Sequence, residues 1–318
     1  MKLSILFPEV SNVERAIQRI VRLDELGFHS AVMGHAFGFD PISVFALAGQ
    51  RTERILLTTA VVPTYGRHPI AMAMGAATAQ AASNGRFRLG IGPSHQPIVE
   101  HVYGLSYDKP VRHMIEYLTV VRDLLQRGET SYKGEVFQVQ VQHRVDGGDG
   151  VPVMMSALGQ QMCRAAGRAS DGVIPWLAPA AYVKDTIVPA VNVGAEKAGR
   201  NPPPIIAETA CLLSSDADEV VETVRREMGF YLAMPAYRAL FERANVPGAD
   251  TAATEGWTRE MVDDVIAWGD ADRLASAVES YFSAGADEVV LSPVGLGSDP
   301  DASYERTLEV LSELARSG

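Results

Sequence analysis

The chain has 318 residues, of which 47 % are hydrophobic and 21 % charged, and its formal net charge is −11. This is the composition of an ordinary folded domain, and the negative charge argues against a nucleic-acid surface, which needs clustered Lys and Arg. No apolar run approaches the roughly 20 residues of a membrane-spanning helix, and Cys163 and Cys211 show no metal or redox spacing. We therefore expect a cytoplasmic protein with no membrane partner and no metal site.

The first half of the chain alternates apolar runs with helical patterns. The apolar runs at 3–7, 30–34, 54–62 and 87–91 predict four strands. Between them, Asn12 and Gly27 are residues that commonly cap a helix at its start and its end. Asp40 precedes a proline and predicts the start of a second helix, and the alanine-rich residues 68–83 predict a third.

The second half continues the alternation, so the pattern predicts a closed barrel. Four more strands are predicted at 151–157, 171–176, 204–213 and 287–293. Eight apolar strands separated by helices favour an α/β fold of the (β/α)₈ TIM-barrel type, formed by residues 1–318 as one domain. The connections at 93–150 and 214–286 are long, which predicts insertions after strands four and seven on the face where barrel enzymes bind their ligands.

The fourth strand ends in the segment RFRLGIGPSHQP, residues 86–97. Gly90 and Gly92 match the start of a dinucleotide-binding fingerprint, but that motif requires a third glycine where His95 stands. A Rossmann interpretation therefore fails, and the segment must be explained as the end of a barrel strand.

Two histidines follow barrel strands at comparable positions, namely His35 after strand two and His95 after strand four. Because histidine titrates near neutral pH, the pair is a candidate for proton handling. The alternative is that each is a hydrogen-bonded loop residue. Aromatic and apolar residues at other strand ends, Tyr65, Trp176 and Pro293, would border an apolar substrate.

The segment after strand five combines a glycine with the start of a helix. Gly159 would let a phosphate approach the backbone closely, and a helix N-terminus binds anions. The alternative is that Gly159 serves only a tight turn and that Arg164 and Arg168 lie on a solvated face.

Residues 84–125 resemble the luciferase-like monooxygenase superfamily, and look closest to the branch that uses the 5-deazaflavin coenzyme F420. The segments 14–35, 58–69, 157–174 and 269–293 support the resemblance, which covers nearly the whole chain. It implies an F420-dependent oxidoreductase that transfers a hydride between the deazaflavin C5 and a small organic substrate. One alternative is a luciferase-like monooxygenase that uses flavin mononucleotide (FMN), and another is a non-catalytic flavin-binding barrel. A homodimer is expected, because dimers are common on this fold.

The resemblance also implies roles for individual residues. His35 would lie near the reactive ring, and His95 stands where some relatives place a glutamate as proton donor. A non-prolyl cis peptide bond is expected at Ala60-Val61 or Val61-Val62. The cofactor-binding residues would be Ala60, Val61, Thr64, Arg67, Ser94, Ala157, Gly159, Gln160, Gln161 and Arg164. Arg67 and Arg164 would pair with an anionic tail.

Overall fold

A computed structural model describes residues 1–8, 12–35, 37–142 and 147–317. The strands are β1 (Leu3–Leu6), β2 (Ser30–Met33), β3 (Leu56–Thr59), β4 (Val62–Pro63), β5 (Phe87–Gly92), β6 (Thr130–Lys133), β7 (Gln138–Val141), β8 (Val153–Ser156), β9 (Val173–Ile174), β10 (Ile206–Leu213), β11 (Ala267–Gly269) and β12 (Glu288–Pro293). The helices are α1 (Val13–Leu26), α2 (Pro41–Ala48), α3 (Pro69–Ala82), α4 (Pro110–Arg127), α5 (Gln160–Ala169), α6 (Ala180–Tyr182), α7 (Val188–Lys197), α8 (Ala217–Met228), α9 (Pro235–Arg243), α10 (Ala252–Glu255), α11 (Arg259–Val265), α12 (Ala271–Ser283) and α13 (Pro300–Ser317). Two π-helical turns, Ile98–Val102 and Val183–Ile187, and one 3₁₀ helix, Gly229–Ala233, complete the elements.

The main sheet is parallel and strongly curled. Its strand order is β11-β10-β12-β1-β2-β3-β5-β8-β9, and β4 pairs with β5. Single bridges join Val173 to Ile205 and Trp176 to Glu208, and the Glu208 N–H donates to the Pro175 carbonyl at 2.9 Å. The curl therefore brings β9 back to β10, and the hairpin β6–β7 lies outside this sheet.

Two predicted helix starts are confirmed by their capping contacts. The side chain of Asn12 accepts hydrogen bonds from the backbone of α1, which ends at Gly27 in the left-handed region. The carboxylate of Asp40 accepts from the Ser43 N–H at the start of α2, where Pro41 is the first residue.

The predicted third strand, 54–62, is divided in the structure into β3 and β4. The Thr59 hydroxyl donates to the Gly90 carbonyl at 2.9 Å and accepts from the Gly90 N–H at 2.8 Å. The Thr59 side chain thus replaces the backbone hydrogen bonds between the two strands where β3 ends. A Cβ on Gly90 would lie 2.0 Å from the Thr59 carbonyl oxygen, so the close approach of these strands requires glycine.

Alternation along the strands divides the core into two parts. Leu3 and Ile5 of β1 belong to the large cluster that includes residues of the surrounding helices, whereas Ser4 has the opposite orientation. A smaller buried cluster includes Val32, Met154, Ile174, Ile206 and Val290, with Ala60 and Val61 packed against it. Ile174, Ala60 and Val61 also line the cavity described next, so this cluster forms the cavity floor.

Candidate active site

A cavity of about 510 Å³ lies at the carboxyl ends of the parallel strands. It is lined by residues within or next to strands (Leu6, Met33, Ala60, Val61, Pro63, Ser156, Ile174, Glu208, Ser292), by the segments that follow strands (Phe7, Pro8, Gly34, His35, Phe37, Pro93, Ser94, His95, Ala157, Leu158, Gly159, Met162, Trp176), and by residues of the long connections (Ile98, Tyr103, Tyr107, Phe230, Tyr231, Ala236, Tyr237). Most of these side chains are apolar or aromatic, as in a pocket for an organic ligand.

Both predicted histidines, His35 and His95, line this cavity. The surroundings of His95 favour its uncharged form. Burial lowers the pKa of His95 below its ordinary value. Its Nδ1 is buried and has no hydrogen-bond partner in the described parts of the chain. The His95 ring lies 5.6 Å from the ring of Tyr237, centroid to centroid. His95 is therefore a neutral imidazole near neutral pH, with a ring nitrogen available to a ligand.

One glycine leaves the cavity floor without a side chain. The Ala60-Val61 peptide bond is cis, at one of the two positions expected. Gly34 lines the cavity, and a Cβ there would lie 3.4 Å from the Ala60 carbonyl oxygen. Gly92 lies behind the lining, where a Cβ would be 2.5 Å from both Ser156 Oγ and Val61 Cγ2. The backbone at Gly34 therefore leaves an apolar surface open beside His35.

Glu208 is a cavity residue that the sequence did not single out as a site residue. It lies inside β10, is 3 % exposed, and its Oε1 has no hydrogen-bond partner among the residues described. Burial, and secondarily the nearby charge of Glu288, raise the pKa of Glu208 well above its usual range. These surroundings therefore favour the protonated form of the carboxyl group.

An aromatic wall closes the side of the cavity next to Glu208. The rings of Tyr231 and Tyr237 lie 4.7 Å apart in an edge-to-face arrangement, and Trp176 lies 6.2 Å from Tyr231. Tyr231 and Tyr237 belong to the long connection after β10. Sequence alone gave no signal for them, because helical spacing of aromatic residues is more often a sign of core packing.

Three predicted residues after β4 lie behind the cavity wall rather than in it. The Thr64 hydroxyl donates to the Gly92 carbonyl at 3.2 Å and lies 3.0 Å from His113 Nε2. Tyr65 stacks on the His113 ring at 3.9 Å. Arg67 is paired with Asp40 at 2.9 Å, so its guanidinium already has an anionic partner.

The predicted anion site at α5 contains some of the expected residues. Ala157 and Gly159 line the cavity, and Gly159 precedes α5 with no side-chain cap on the helix. Gln160, Gln161 and Arg164 are exposed.

A second arginine, which the sequence did not indicate, lies beside this helix start. A Cβ on Gly159 would lie 3.7 Å from Nη1 of Arg243, the last residue of α9. Two distant segments therefore combine to give donors for an anion.

At the end of β12, the predicted Pro293 is buried outside the lining, and its neighbour Ser292 contributes instead. Among the described residues that line the cavity there is no Lys, Arg or Asp. No group of three or more His, Cys, Asp or Glu side chains within the described ranges could hold a metal ion. In the same ranges, no helix has both the length and the apolar character needed to cross a membrane.

Comparison with protein families identifies the class of protein that this fold and cavity represent. A model of the luciferase-like monooxygenase family matches residues 1–288. The chain belongs to this family.

Two related proteins match most of the length of this chain. The 5,10-methylenetetrahydromethanopterin reductase of Methanopyrus kandleri is 26 % identical, over 91 % of this chain and 90 % of its own length. A protein of Mycobacterium tuberculosis described only as uncharacterised is 25 % identical over 73 % of each chain.

Solved structures share the fold at lower identity. An F420-dependent secondary alcohol dehydrogenase in complex with an F420-acetone adduct gives a TM-score of 0.79 at 19 % identity, covering 98 % of this chain and 97 % of the other. The oxygenating constituent of 3,6-diketocamphane monooxygenase of Pseudomonas putida, in complex with FMN, gives 0.73 at 18 % identity with the same coverage. The family match confirms the predicted family and, together with the related reductase, the prediction of an oxidoreductase-type enzyme.

Proposed function

We propose that this protein is an F420-dependent oxidoreductase that exchanges a hydride between the deazaflavin C5 and a small, uncharged organic substrate. The observation that carries the proposal is one apolar cavity that contains both His35 and His95 and whose edge reaches the start of α5 at Gly159. The name of the structurally similar F420-dependent secondary alcohol dehydrogenase supports coenzyme F420 as the cofactor.

The residues of the cavity fit such a cofactor in two places. The flat floor at Ala60 and Val61, with no side chain at Gly34, suits an aromatic ring, and Ser94 and Ala157 would border the same ring. The N-terminus of α5, with Gly159, Gln160 and Gln161, suits a phosphate.

Charged side chains would complete the anion site around the cofactor tail. Arg164 and Arg243 are the candidate partners there. Thr64 and Arg67 would act indirectly, by holding the wall at Gly92 and the start of α2.

When bound, the deazaflavin supplies a carbon that gives or takes a hydride, and its reduced form reacts poorly with oxygen because position 5 is carbon. The protein supplies orientation and a cavity from which water is excluded. His35 would orient the ring, and the neutral His95 would hydrogen-bond the substrate. Trp176 would contact the substrate directly, with Tyr65 and Pro293 supporting neighbouring wall residues from behind.

An FMN-dependent monooxygenase is the second candidate. It is favoured by the structural similarity to the FMN-bound diketocamphane monooxygenase. An apolar cavity with a helix N-terminus at its edge also suits FMN, which has an aromatic ring and a phosphate.

A fluorescence titration of the purified protein with coenzyme F420 and, separately, with FMN tests the proposal. We expect micromolar or tighter binding of F420 and weaker binding of FMN. Gly34→Val should weaken F420 binding at least tenfold because a side chain would occupy the ring surface, whereas His101→Ala, which alters an exposed residue outside the cavity lining, should not. Preference for FMN would favour the monooxygenase, and binding of neither would contradict both functions.

We further propose that residues 1–318 form one closed (β/α)₈ barrel whose long segments after the fourth and seventh strands cover the cavity. Tyr107 and Tyr237, which come from those two segments, support this arrangement. We also propose a homodimer in the cytoplasm. The exposed apolar side chains of Leu47 on α2 and Met74 on α3 are a surface that a second copy would cover, and sedimentation equilibrium measures the assembly.

A further inference from the structure

The carboxyl group of Glu208 has no part in the mechanism above, although it lies in the cavity wall. Its backbone is fixed, since its N–H donates to the Pro175 carbonyl and its carbonyl accepts from the Leu177 N–H, both at 2.9 Å. Its Oε1 is buried and makes no hydrogen bond to any described residue. A buried polar atom without a partner is rare in folded proteins, and in a ligand cavity it indicates an atom that a ligand satisfies.

The charged and titratable groups that act on Glu208 do not provide a counter-charge for its carboxylate form. Glu288 of β12 and Arg88 of β5 act on it through their charges, and Tyr231 and Tyr237 are the titratable groups on the aromatic wall. Arg88 is committed to Glu288, to which it donates two hydrogen bonds of 2.7 and 2.8 Å. Burial raises the pKa values of both tyrosines, so neither supplies a charge. Glu208 is therefore an acid that retains its proton inside the cavity.

We propose that Glu208 is the proton donor of this cavity and that it acts on the oxygen of an uncharged carbonyl compound. The geometry supports the substrate class as well as the donor. No Lys or Arg is among the described lining residues, so a carboxylate or phosphate on the substrate would meet no counter-charge there. A carbonyl oxygen, in contrast, accepts the hydrogen bond that a protonated carboxyl group offers.

The assignment rests on the proposed function for the source of the hydride. In the reducing direction the carbonyl carbon receives a hydride and its electron pair from a reduced deazaflavin. The substrate oxygen takes the proton of Glu208, so the acid O–H bond breaks, an alcohol O–H bond forms, and Glu208 is left as a carboxylate. Neutral His95 lacks the extra proton for this step, since burial lowers its pKa.

Infrared spectroscopy of the full-length protein with isotope-labelled cyclohexanone tests the assignment without the cofactor. At pH 7 the wild type should show a protonated-carboxyl band that is absent in Glu208→Leu and Glu208→Gln. The carbonyl stretch of bound cyclohexanone should shift to lower frequency in the wild type and not in Glu208→Leu, whose dissociation constant for the ketone should rise about tenfold. Cyclohexanecarboxylate should not bind.

The Gln variant separates donation of a hydrogen bond from donation of a proton. Its amide keeps an N–H donor, so ketone binding should persist while kcat for ketone reduction falls at least 100-fold, which is the usual scale of general-acid catalysis. The F420 dissociation constant should stay within twofold of the wild-type value.

Each result decides one of the two proposals. Absence of the carboxyl band, an unchanged ketone stretch in Glu208→Leu, or failure of the ketone to bind would overturn the assignment of Glu208 even if F420 binds. If the infrared results hold but F420 does not bind, the proposed function fails, and Glu208 remains a hydrogen-bond donor to carbonyl ligands.

Discussion

Two buried glutamates on neighbouring strands have opposite surroundings in the main sheet. Glu288 of β12 accepts hydrogen bonds from Ser4 at 2.6 Å and from both terminal nitrogens of Arg88. Burial acts to raise its pKa, but the hydrogen bonds and charge of Arg88 outweigh burial and lower it. Glu208, whose register partner on β12 is Val290, has no such partners among the described residues, and its pKa is raised. The surroundings therefore favour the anionic form of one glutamate and the protonated form of the other.

The difference follows the direction of the parallel strands. Around Glu288, Arg88 also donates to Thr58 at 2.7 Å, and Thr58 shares a hydrogen bond of 2.7 Å with Ser30. This network at the start of β12 is satisfied by the protein itself, which indicates a role in stability. Glu208 lies two register positions further along the sheet, in the cavity wall. Its Oε1 and the Nδ1 of His95 have no hydrogen-bond partner among the described residues, on the side of the sheet where enzymes of this fold bind their ligands.

Removing Arg88, the cation of the hydrogen-bond network around Glu288, should have the largest effect on stability. Arg88→Met leaves Glu288 buried without its partner, and the free energy of unfolding should fall by about 3–5 kcal/mol in urea denaturation. The double variant Arg88→Met/Glu288→Met should recover most of that loss, because no uncompensated charge remains. A double variant as unstable as the single one would mean that packing, rather than charge, is what Arg88 provides.

Replacing each glutamate in turn by glutamine should affect the stability of the fold differently. Glu288→Gln removes charge-assisted hydrogen bonds and should cost about 2 kcal/mol at pH 7. Glu208→Gln removes a carboxyl group that the fold must keep protonated, so stability should be unchanged or higher. Equal losses in the two variants, measured by thermal unfolding, would remove the distinction between the glutamates.

The anion site at α5 should depend more on Arg243 than on Arg164. Arg243→Met removes the guanidinium beside Gly159 and should weaken F420 binding about tenfold, or about 1.4 kcal/mol. Arg164→Met is the matched control, since this exposed side chain contacts Gln160 on its own helix at 3.4 Å. The F420 dissociation constant of Arg164→Met should change less than threefold. A larger loss of F420 affinity in Arg164→Met than in Arg243→Met would place the cofactor tail at Arg164 instead.

The pH dependence of stability should differ slightly between the wild type and Glu208→Gln. The raised pKa means that folded Glu208 keeps a proton that the unfolded chain loses above about pH 4.3. The unfolded state then binds fewer protons, so this residue's contribution to stability decreases as pH rises from there through the folded-state pKa. Glu208→Gln should therefore lose less stability than the wild type between pH 5 and 8. Parallel curves would show that Glu208 ionises normally.

The sequence by itself determined the strand–helix alternation, although it did not predict the division of the third strand into β3 and β4 or the additional strand β11. Periodicity predicted strand–helix alternation, and local capping chemistry at Asn12 and Asp40 fixed two helix starts. His35 and His95 were found because a residue that follows a strand in a parallel barrel lies at the ligand-binding face whatever else the chain does. These features depend on neighbours within a few residues, which a sequence displays directly.

Only the tertiary structure decided which charges have partners. Arg88 pairs with a glutamate 200 positions away in the chain, and no described residue donates a hydrogen bond to Oε1 of Glu208. Arg67, expected to bind an anionic tail, is paired with Asp40, while Arg243 reaches the start of α5 from another helix. Whether a buried carboxyl group is ionised depends on the donors that surround it, and curling of the sheet brings those donors from strands that no local pattern connects.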